Sequence, residues 1–418
     1  MWVWSAKPID YTKKPGQGAT LVSTGLGGDR SPQGPARAGS GQACHDDAMT
    51  RCTLYPFKSA LAVLVLCLSP LCAQAQNTGS PPAHHRSTGF QNNHLDFAPR
   101  GLADFMRWQW HARRQGLPPR PESRTPAVAP DLAFLSSNAR AGAAMQPSVT
   151  WIGHATVLAQ MGGINMLTDP IFSERASPVS FAGPKRAHPP GLSLAQLPRV
   201  DLVVISHNHY DHCDAPSLQA LHAQAGGPPL FLVPLGLKAW MAQIGVGNVV
   251  ELDWWQTHRL GGVDVMMTPV QHWSGRSLGD RMQSLWGGWA VLAPDAHLFF
   301  AGDTGYSPDF SEVARRLADR QGPAGFDIAL IPVGAYAPRW FMKEQHVDAD
   351  EAVQMHKDLR AARSLGIHWG TFELTDEALD EPPRALARAL DKAGVKADDF
   401  FLLALGQTRK LPRRAVAQ

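Results

Sequence analysis

Residues 206–214 of this chain, SHNHYDHCD, hold three histidines and two aspartates in nine positions. Imidazole nitrogens and carboxylate oxygens are common ligands of Zn²⁺ and related divalent cations. Because residues i and i+2 of an extended segment point the same way, His207 and His209 can hold one cation, and the loop then presents Asp211 and His212 to a second. Taken alone, the stretch indicates a metal site but not what the metal does, and a solvated loop would explain it as well.

Three more candidate ligands occur later in the chain, and each follows a short apolar run typical of a β-strand. His272 follows VDVMMTPVQ, Asp303 follows LFFAG and His368 follows SLGI. In layered α/β proteins the ends of such strands meet in one cleft. A solvated loop does not explain three further residues placed in this way, so we expect all of these side chains to form one constellation.

The types of these residues predict a centre of two metal ions that catalyses hydrolysis. Structural zinc sites are closed, four-ligand sites that are usually rich in cysteine, and we interpret the neighbouring Cys213 as a packed thiol. A carboxylate such as Asp303 can bridge two cations. Two cations a few ångström apart activate water at neutral pH and stabilise charge on a substrate oxygen. The sequence therefore predicts a hydrolase.

The elements that must position these residues alternate between short strands and helices from about Thr150 onward, which favours an α/β fold with substantial sheet content. Nearer the N-terminus, residues 101–116 have the spacing of a helix, with Leu102, Phe105, Met106 and Trp110 on one face. Residues 76–125 are predicted to be a linker and this N-terminal helical segment, and residues 126–410 the hydrolase domain.

Composition narrows the class of protein. Of the 418 residues, 44% are hydrophobic, which is enough for a full core, and the formal net charge is only +3. A nucleic-acid-binding protein needs a broad basic surface, which this balance does not provide. After residue 76 no apolar stretch is long enough to span a bilayer.

The N-terminus has the pattern of an export signal. Arg51 and Lys58 precede an apolar run at residues 60–68, and AQA follows, which is the layout of a bacterial secretory signal peptide. We therefore expect residues 49–75 to be a signal peptide and the protein to be exported, periplasmic and membrane-associated. Residues 1–48 are then expected to be a disordered gene-model extension, with Met49 as the true start.

The combination of TDP at residues 168–170, the His-x-His-x-Asp-His motif and the later His, Asp and His resembles the metallo-β-lactamase superfamily. This resemblance implies a four-layer αβ/βα sandwich with two Zn²⁺ ions at one edge. It implies the following ligands: His207, His209 and His272 for the first zinc, Asp211, His212 and His368 for the second, Asp303 bridging both, and Asp169 orienting a ligand histidine.

Longer motifs resemble one family within this superfamily, the N-acylphosphatidylethanolamine-hydrolysing phospholipases D. They include WIGHATVL, LTDPIFSERASP, VISHNHYDH, FFAGDTGY, IPVGAYAPRWFMKEQHVDADEAV and IHWGTF, and the similarity runs from about Gly89 to Arg409. The resemblance implies hydrolysis of an N-acylated phosphatidylethanolamine to phosphatidic acid and an N-acylethanolamine. It also implies a phospholipid partner at a membrane surface, peripheral membrane contact and a homodimer. An export signal departs from the pattern of the animal enzymes.

The same resemblance assigns substrate contacts to Tyr210, Gln345 and His346. Asp211, Asp303 and His346 are the predicted catalytic residues, and either His346 or a water at the metals would protonate the leaving group. Three other functions fit the ligand set: hydrolysis of a sugar-phosphate lactone or a β-lactam, nuclease activity, and non-catalytic zinc binding. A nuclease would need a basic RNA-clamping module, for which the sequence gives no sign.

Overall fold

The structure is a computed structural model that describes residues 82–277 and 279–414. The predicted signal peptide (49–75), the predicted gene-model extension (1–48) and the first residues of the predicted linker lie outside the described residues. The fold and site below therefore concern the remainder of the chain.

Two seven-stranded sheets form the centre of the described part of the chain. Their orders are β14-β1-β2-β3-β4-β5-β6 and β13-β12-β11-β10-β9-β8-β7. Strands β3 to β6 run parallel to one another, as do β10 to β13. The strands are β1 (Ser148–Gly153), β2 (Thr156–Met161), β3 (Ile164–Thr168), β4 (Leu202–Val204), β5 (Leu230–Pro234), β6 (Val249–Leu252), β7 (Thr257–Leu260), β8 (Val263–Thr268), β9 (Gly288–Leu292), β10 (His297–Phe300), β11 (Ile328–Pro332), β12 (Ser364–Ile367), β13 (Phe400–Phe401) and β14 (Thr408–Lys410).

The described residues also form helices. They are α1 (Leu102–Gln115), α2 (Leu132–Ala139), α3 (Ala215–His222), α4 (Lys238–Gln243), α5 (Asp309–Arg316), α6 (Ala318–Gln321), α7 (Arg339–Met342), α8 (Ala349–Asp358) and α9 (Glu381–Ala393). Side chains of α2, α3 and α4 share a core with the first sheet, whereas α5, α8 and α9 share the larger core with the second sheet.

The inner strands, such as β2, β3, β10 and β11, are largely apolar on both faces because both faces are buried. In β2, Val157 and Ala159 enter the large core that the two sheets share, while Leu158 between them enters the core beneath α2 to α4. Successive side chains of a strand point to opposite faces, so a strand between two layers needs a continuous apolar run. The predicted α/β fold, a four-layer αβ/βα sandwich, is confirmed.

The parallel strands of both sheets end at the edge where the candidate ligands lie. Asp169 follows β3 directly and His207 comes three residues after β4. In the second sheet Asp303 comes three residues after β10 and His368 follows β12 directly. The carboxyl ends of the parallel strands therefore bring candidate ligands from two sheets to the same edge, where the sequence led us to expect them.

Residues 82–100 differ from the linker that the sequence predicted. The Nε2 atoms of His84 and His85 lie 2.6 and 2.8 Å from the two carboxylate oxygens of Asp253. The amide N–H of Phe90 donates to the carbonyl of Met282 at 2.9 Å, and Asn92 is only 6% exposed. Polar residues dominate this segment because their partners are polar groups of the domain, which composition alone cannot reveal.

Helix α1 forms where predicted, but the face that it buries differs. It packs through Trp108 and Ala112 against Phe341 and Met342. Of the predicted face, Phe105 packs against this cluster, whereas Leu102, Met106 and Trp110, four positions apart, face outward and are 69, 55 and 54% exposed. The helical period was predicted from spacing, whereas the choice of face depends on a partner surface more than 200 residues away in the sequence.

We expect the core to be sensitive at Phe299, which is fully buried in β10 and lies 5.3 Å from Phe326, ring centre to ring centre. Phe299→Ala should lower the free energy of unfolding by about 3–5 kcal/mol, because it leaves a cavity between packed layers. Phe181→Ala is the control, since Phe181 is 81% exposed and its loss should change stability by less than about 0.5 kcal/mol. Urea denaturation of both variants measures this, and equal midpoints would contradict the layered core.

Candidate metal centre

One group of ring nitrogens comes from His207, His209 and His272. Nε2 of His207 is 2.8 Å and Nε2 of His272 is 3.4 Å from Nδ1 of His209. His207 and His272 are both 1% exposed. The geometry of the three rings allows them to hold a metal ion.

A second group brings Asp211, His212 and His368 together with Asp303. Nε2 of His212 is 3.3 Å from Oδ2 of Asp211 and 3.1 Å from Oδ2 of Asp303. Nε2 of His368 is 3.4 Å from Asp211 and 3.2 Å from the other oxygen of Asp303. His212 and His368 are almost fully buried.

Asp303 lies between the two groups. Its Oδ2 atom is 3.9 Å from Nε2 of His207 and 4.0 Å from Nε2 of His272, in addition to its short contacts with the second group. A carboxylate in this position has an oxygen within reach of both sets of nitrogens. The structure thus brings the seven predicted ligands together.

Hydrogen bonds to the outer ring nitrogens fix how several of these imidazoles are turned. Nδ1 of His212 is 2.6 Å from Oδ2 of Asp169, which also accepts from the hydroxyl of Ser206, while Oδ1 of Asp169 accepts from the Ser206 amide. Nδ1 of His207 is 2.9 Å from the hydroxyl of Ser206, and Nδ1 of His272 is 3.0 Å from the carbonyl of Gln345. Such outer partners set the tautomer and orientation of metal-binding histidines.

The place of His154 in the run WIGHAT favours a supporting or packing role over that of a ligand, and in the structure its ring lies against the cluster. Its Nε2 atom lies 2.9 Å from Oδ2 of Asp211, and its ring is 4.0 Å from that of His368, centre to centre. His154, Asp169 and His368 all have positive φ, at 54°, 33° and 62°. Non-glycine residues rarely adopt this conformation, and where they do the surrounding structure has to hold it.

Unpaired buried atoms at this site fit a metal. Nε2 of His209, His212 and His368, together with Oδ1 of Asp303, are buried and have no well-directed hydrogen bond among the described residues. The contacts of Nε2 of His212 and His368 with Asp303, at 3.1 and 3.2 Å, bring opposite charges together without the alignment of a hydrogen bond. Buried polar atoms normally have partners, because leaving them unpaired costs free energy. A divalent cation would bind these imidazole nitrogens and this carboxylate oxygen, which are among the ligand types that such cations prefer.

The cluster of His84, His85 and Asp253 provides a contrast. It also has the composition of a metal site, but each of its Nε2 atoms is at hydrogen-bond distance from its own carboxylate oxygen. Two hydrogen bonds account for these contacts without a metal. We therefore interpret this cluster as an anchor for the N-terminal segment.

The pKa values of the candidate ligand histidines bear on how they would bind a cation. Burial lowers the pKa of His209 to about 4 and that of His272 to about 3, so both rings are neutral and free to bind a metal at pH 7. Although burial opposes it, Asp303 and Asp211 raise the pKa of His368 to about 9. A cation binding there must displace that proton, so its affinity should fall as the pH falls below about 9.

The residues predicted to contact substrate line a groove above the candidate metal centre. Its empty volume is about 1420 Å³, and Tyr210, Gln345 and His346 all border it, as do Asp211 and Asp303. The apolar part of its lining comes from α1, the loop at residues 176–184 and the region around α7, and includes Leu102, Phe105, Trp108, Pro178, Pro184, Phe341 and Met342.

Two of these residues also have internal partners. The hydroxyl of Tyr210 donates to the carbonyl of Arg276 at 3.1 Å, and the Arg276 guanidinium lies 4.0 Å from the centre of the tyrosine ring. Oε1 of Gln345 accepts from the indole of Trp273 at 2.5 Å. Sequence reasoning missed Trp273 and Arg276, although both stand close to the His272 ligand in the run QHWSGR.

Comparison with known proteins places this site among hydrolases. The family model described as beta-lactamase superfamily domain matches residues 164–369. The chain is 41% identical over 270 residues to N-acyl-phosphatidylethanolamine-hydrolyzing phospholipase D 1 of Caenorhabditis elegans, covering 62% of this chain and 74% of the relative. It is 37% identical over 264 residues to N-acyl-phosphatidylethanolamine-hydrolyzing phospholipase D, mitochondrial, of Saccharomyces cerevisiae, covering 62% of this chain and 55% of that relative.

Among solved structures, an isothiocyanate hydrolase from Delia radicum gut bacteria shares the fold. The TM-score is 0.51 at 21% identity, over 63% of this chain and 99% of that one.

The expectation of export to a bacterial periplasm is wrong on this comparison. The yeast relative is named as mitochondrial, so the similarity to it does not support export to a periplasm. Within residues 82–277 and 279–414, no helix has the length and apolarity needed to cross a bilayer.

Asp169→Asn tests the support of the candidate ligands. The amide keeps the size of the carboxylate but weakens its charge-assisted bond to His212, so affinity for a divalent metal should fall by about 10–100-fold. Metal competition with a chromophoric chelator measures this. Asp201→Asn is the matched control, because Asp201 accepts from the backbone of Asn165 at 2.9 Å but does not touch the cluster. Equal metal affinity in both variants would contradict the role of Asp169.

Proposed function

The chain belongs to the N-acylphosphatidylethanolamine-hydrolysing phospholipase D family of the metallo-β-lactamase superfamily, and from this membership we propose that it is a two-zinc phosphodiesterase of the phospholipase D type. As a member of the superfamily it is a metal-dependent hydrolase. The proposed substrate is an N-acylated phosphatidylethanolamine, which would be cleaved to phosphatidic acid and an N-acylethanolamine.

One observation carries the proposal: two groups of candidate ligands share Asp303 at the floor of a largely apolar groove. A small polar substrate would need little apolar wall. A phospholipid needs a polar end where the phosphate reacts and an apolar channel for its chains. The groove supplies both within reach of the same carboxylate.

In the proposed centre, His207, His209 and His272 would hold one Zn²⁺ ion and Asp211, His212 and His368 the other, with Asp303 shared. Bound cations of this kind supply Lewis acidity for a phosphoryl oxygen and lower the pKa of water. Asp169 and Ser206 hold the His212 and His207 rings in the orientation that this requires. Asp303, with both oxygens directed at imidazoles, sets the spacing of the two ligand groups.

His346 faces the same space but is poorly suited to give up a proton. Burial lowers its pKa to about 3, so the ring is neutral at pH 7, and its Nδ1 atom is 3.9 Å from Asp303. A neutral imidazole can still orient the leaving-group oxygen by a hydrogen bond. Of the two candidates for proton donor, this favours water in the groove, with His346 as a positioning contact.

The outward face of α1 supports the proposed contact with a membrane surface. Leu102, Met106 and Trp110 are exposed on this face, and Leu102 also borders the groove. Arg113 and Arg114 stand exposed in the last turn of the helix, and the Arg114 guanidinium lies 4.4 Å from the Trp110 ring centre. Apolar side chains flanked by arginine suit the interface of an anionic membrane. The homodimer stays a prediction.

Asp303→Asn should reduce turnover of N-acylphosphatidylethanolamine by more than about 10²-fold, because a charged partner aimed at the reacting groups is lost. Far-UV circular dichroism should be unchanged, and Asp264→Asn, an ion-pair partner of Arg320 outside the site, should retain activity. A panel with a lactone and a β-lactam separates the alternative hydrolyses. Retained phosphodiesterase activity in the metal-loaded Asp303→Asn variant would overturn the assignment.

The double variant Met106→Asp/Trp110→Asp tests the membrane surface without altering the groove lining. Losing two apolar contacts should raise KM for substrate in anionic vesicles about 10-fold or more, while hydrolysis of a soluble diester such as bis(p-nitrophenyl) phosphate stays constant. Leu132→Asp is the control, because Leu132 is 39% exposed on α2. If the control and the double variant lose equal vesicle activity, α1 is not the contact surface.

A further inference from the structure

We propose that Asn92 is a positioning residue for His272, an inference that rests on the proposed metal-binding role of His272. Asn92 lies in residues 82–100, which the sequence led us to interpret as part of a linker. It is separated from His272 by 180 positions in the chain. Its side chain nevertheless makes the contacts that fix the backbone of this ligand.

The amide of Asn92 pairs with both backbone groups of His272. Its Nδ2 atom donates to the His272 carbonyl at 2.9 Å, and the His272 N–H donates to its Oδ1 atom at 3.0 Å. The indole of Trp286 donates to the same oxygen at 3.1 Å. This two-bond pairing resembles the way that a neighbouring strand would hold a residue, and it is buried, since Asn92 is 6% and His272 1% exposed.

His272 depends on this pairing because no strand holds it. Strand β8 ends at Thr268, and the isolated bridge beyond it pairs Gln271 with Gly305, not His272. Both backbone groups of His272 instead face Asn92. With Nδ1 of the ring bound to the carbonyl of Gln345 at 3.0 Å, backbone and ring are fixed together, and Nε2 is left directed at the cluster.

The segment that carries Asn92 is itself anchored on both sides. Before Asn92, His84 and His85 bind Asp253. After it, the side-chain amide of Asn93 donates to Asp309 at 2.9 Å. Asn92 is therefore presented by a fixed segment, and its amide can act as a rigid support for the ligand.

Removing the amide donor would leave the buried His272 carbonyl unpaired, which is costly, and the loop would move to relieve it. A shift of His272 should weaken the metal group that contains it and leave the group of Asp211, His212 and His368 intact. A purely structural role would lower stability without this selective effect.

The test measures Zn²⁺ binding by metal-free protein in competition with a chromophoric chelator, for the wild type and for Asn92→Asp. The variant keeps the acceptor for the His272 N–H but replaces the Nδ2 donor by a second oxygen. We expect one of two binding constants to weaken by about 10–100-fold and the other to change by less than about twofold. If Asn92→Asp does not fold, Asn92→Ala removes both bonds without a buried charge and gives the same readout.

Asn138→Asp is the matched control. Asn138 makes the same two-bond pairing with the backbone of Gln146, at 2.9 and 2.7 Å, and is 5% exposed. It lies in α2, outside both ligand groups. The control should lower the unfolding temperature about as much as Asn92→Asp does, with both Zn²⁺ constants unchanged.

The outcomes separate this inference from the proposed function. A wild type that binds no Zn²⁺ would overturn both. Normal Zn²⁺ binding by the wild type together with unchanged constants in the Asn92 variants, or an equal loss in Asn138→Asp, would overturn the role of Asn92 alone.

Discussion

Two buried carboxylates, Asp211 and Asp303, impose the main constraint on this structure. Removing an ionised carboxylate from water is costly unless opposite charge and hydrogen bonds replace the water. In the described residues, the ion pairs of these two carboxylates are with imidazoles. The charge of His212 holds the pKa of both carboxyls well below its usual range, although burial opposes it. Neither sheet alone could supply this environment, because the imidazoles come from the strand ends of both.

The convergence of the candidate ligands was predictable because most of its sequence signal is local. His207, His209, Asp211 and His212 lie in one short stretch, and His272, Asp303 and His368 each follow a run whose strand character is evident from composition. Strand-end convergence then follows from the layering of α/β folds. The alternation of strands and helices likewise predicted an α/β fold, and the resemblance to the metallo-β-lactamase superfamily implied the four-layer sandwich.

What the sequence could not provide depends on contacts between distant segments. Asn92 stands among polar residues that have no period, and its role exists only because the His272 backbone lies beside it. The packing of α1 depends on a distant segment in the same way, since Trp108 of this helix contacts Phe341. The contact between His154 and Asp211 likewise could not be predicted from the sequence, because the two residues lie 57 positions apart.

The anchored segment at residues 82–100 also bears on the order in which the protein is made. Synthesis proceeds from the N-terminus, so Asn92 leaves the ribosome well before His272 exists, and the loop that joins them closes late. A segment that stays undocked until its partner has been synthesised aggregates less when it is polar, because exposed apolar segments associate with one another. The polar composition that made residues 82–100 resemble a linker thus also keeps this segment soluble before it docks. The loop that carries His272 reaches its final form only when residues 82–100, which are synthesised first, bind to it.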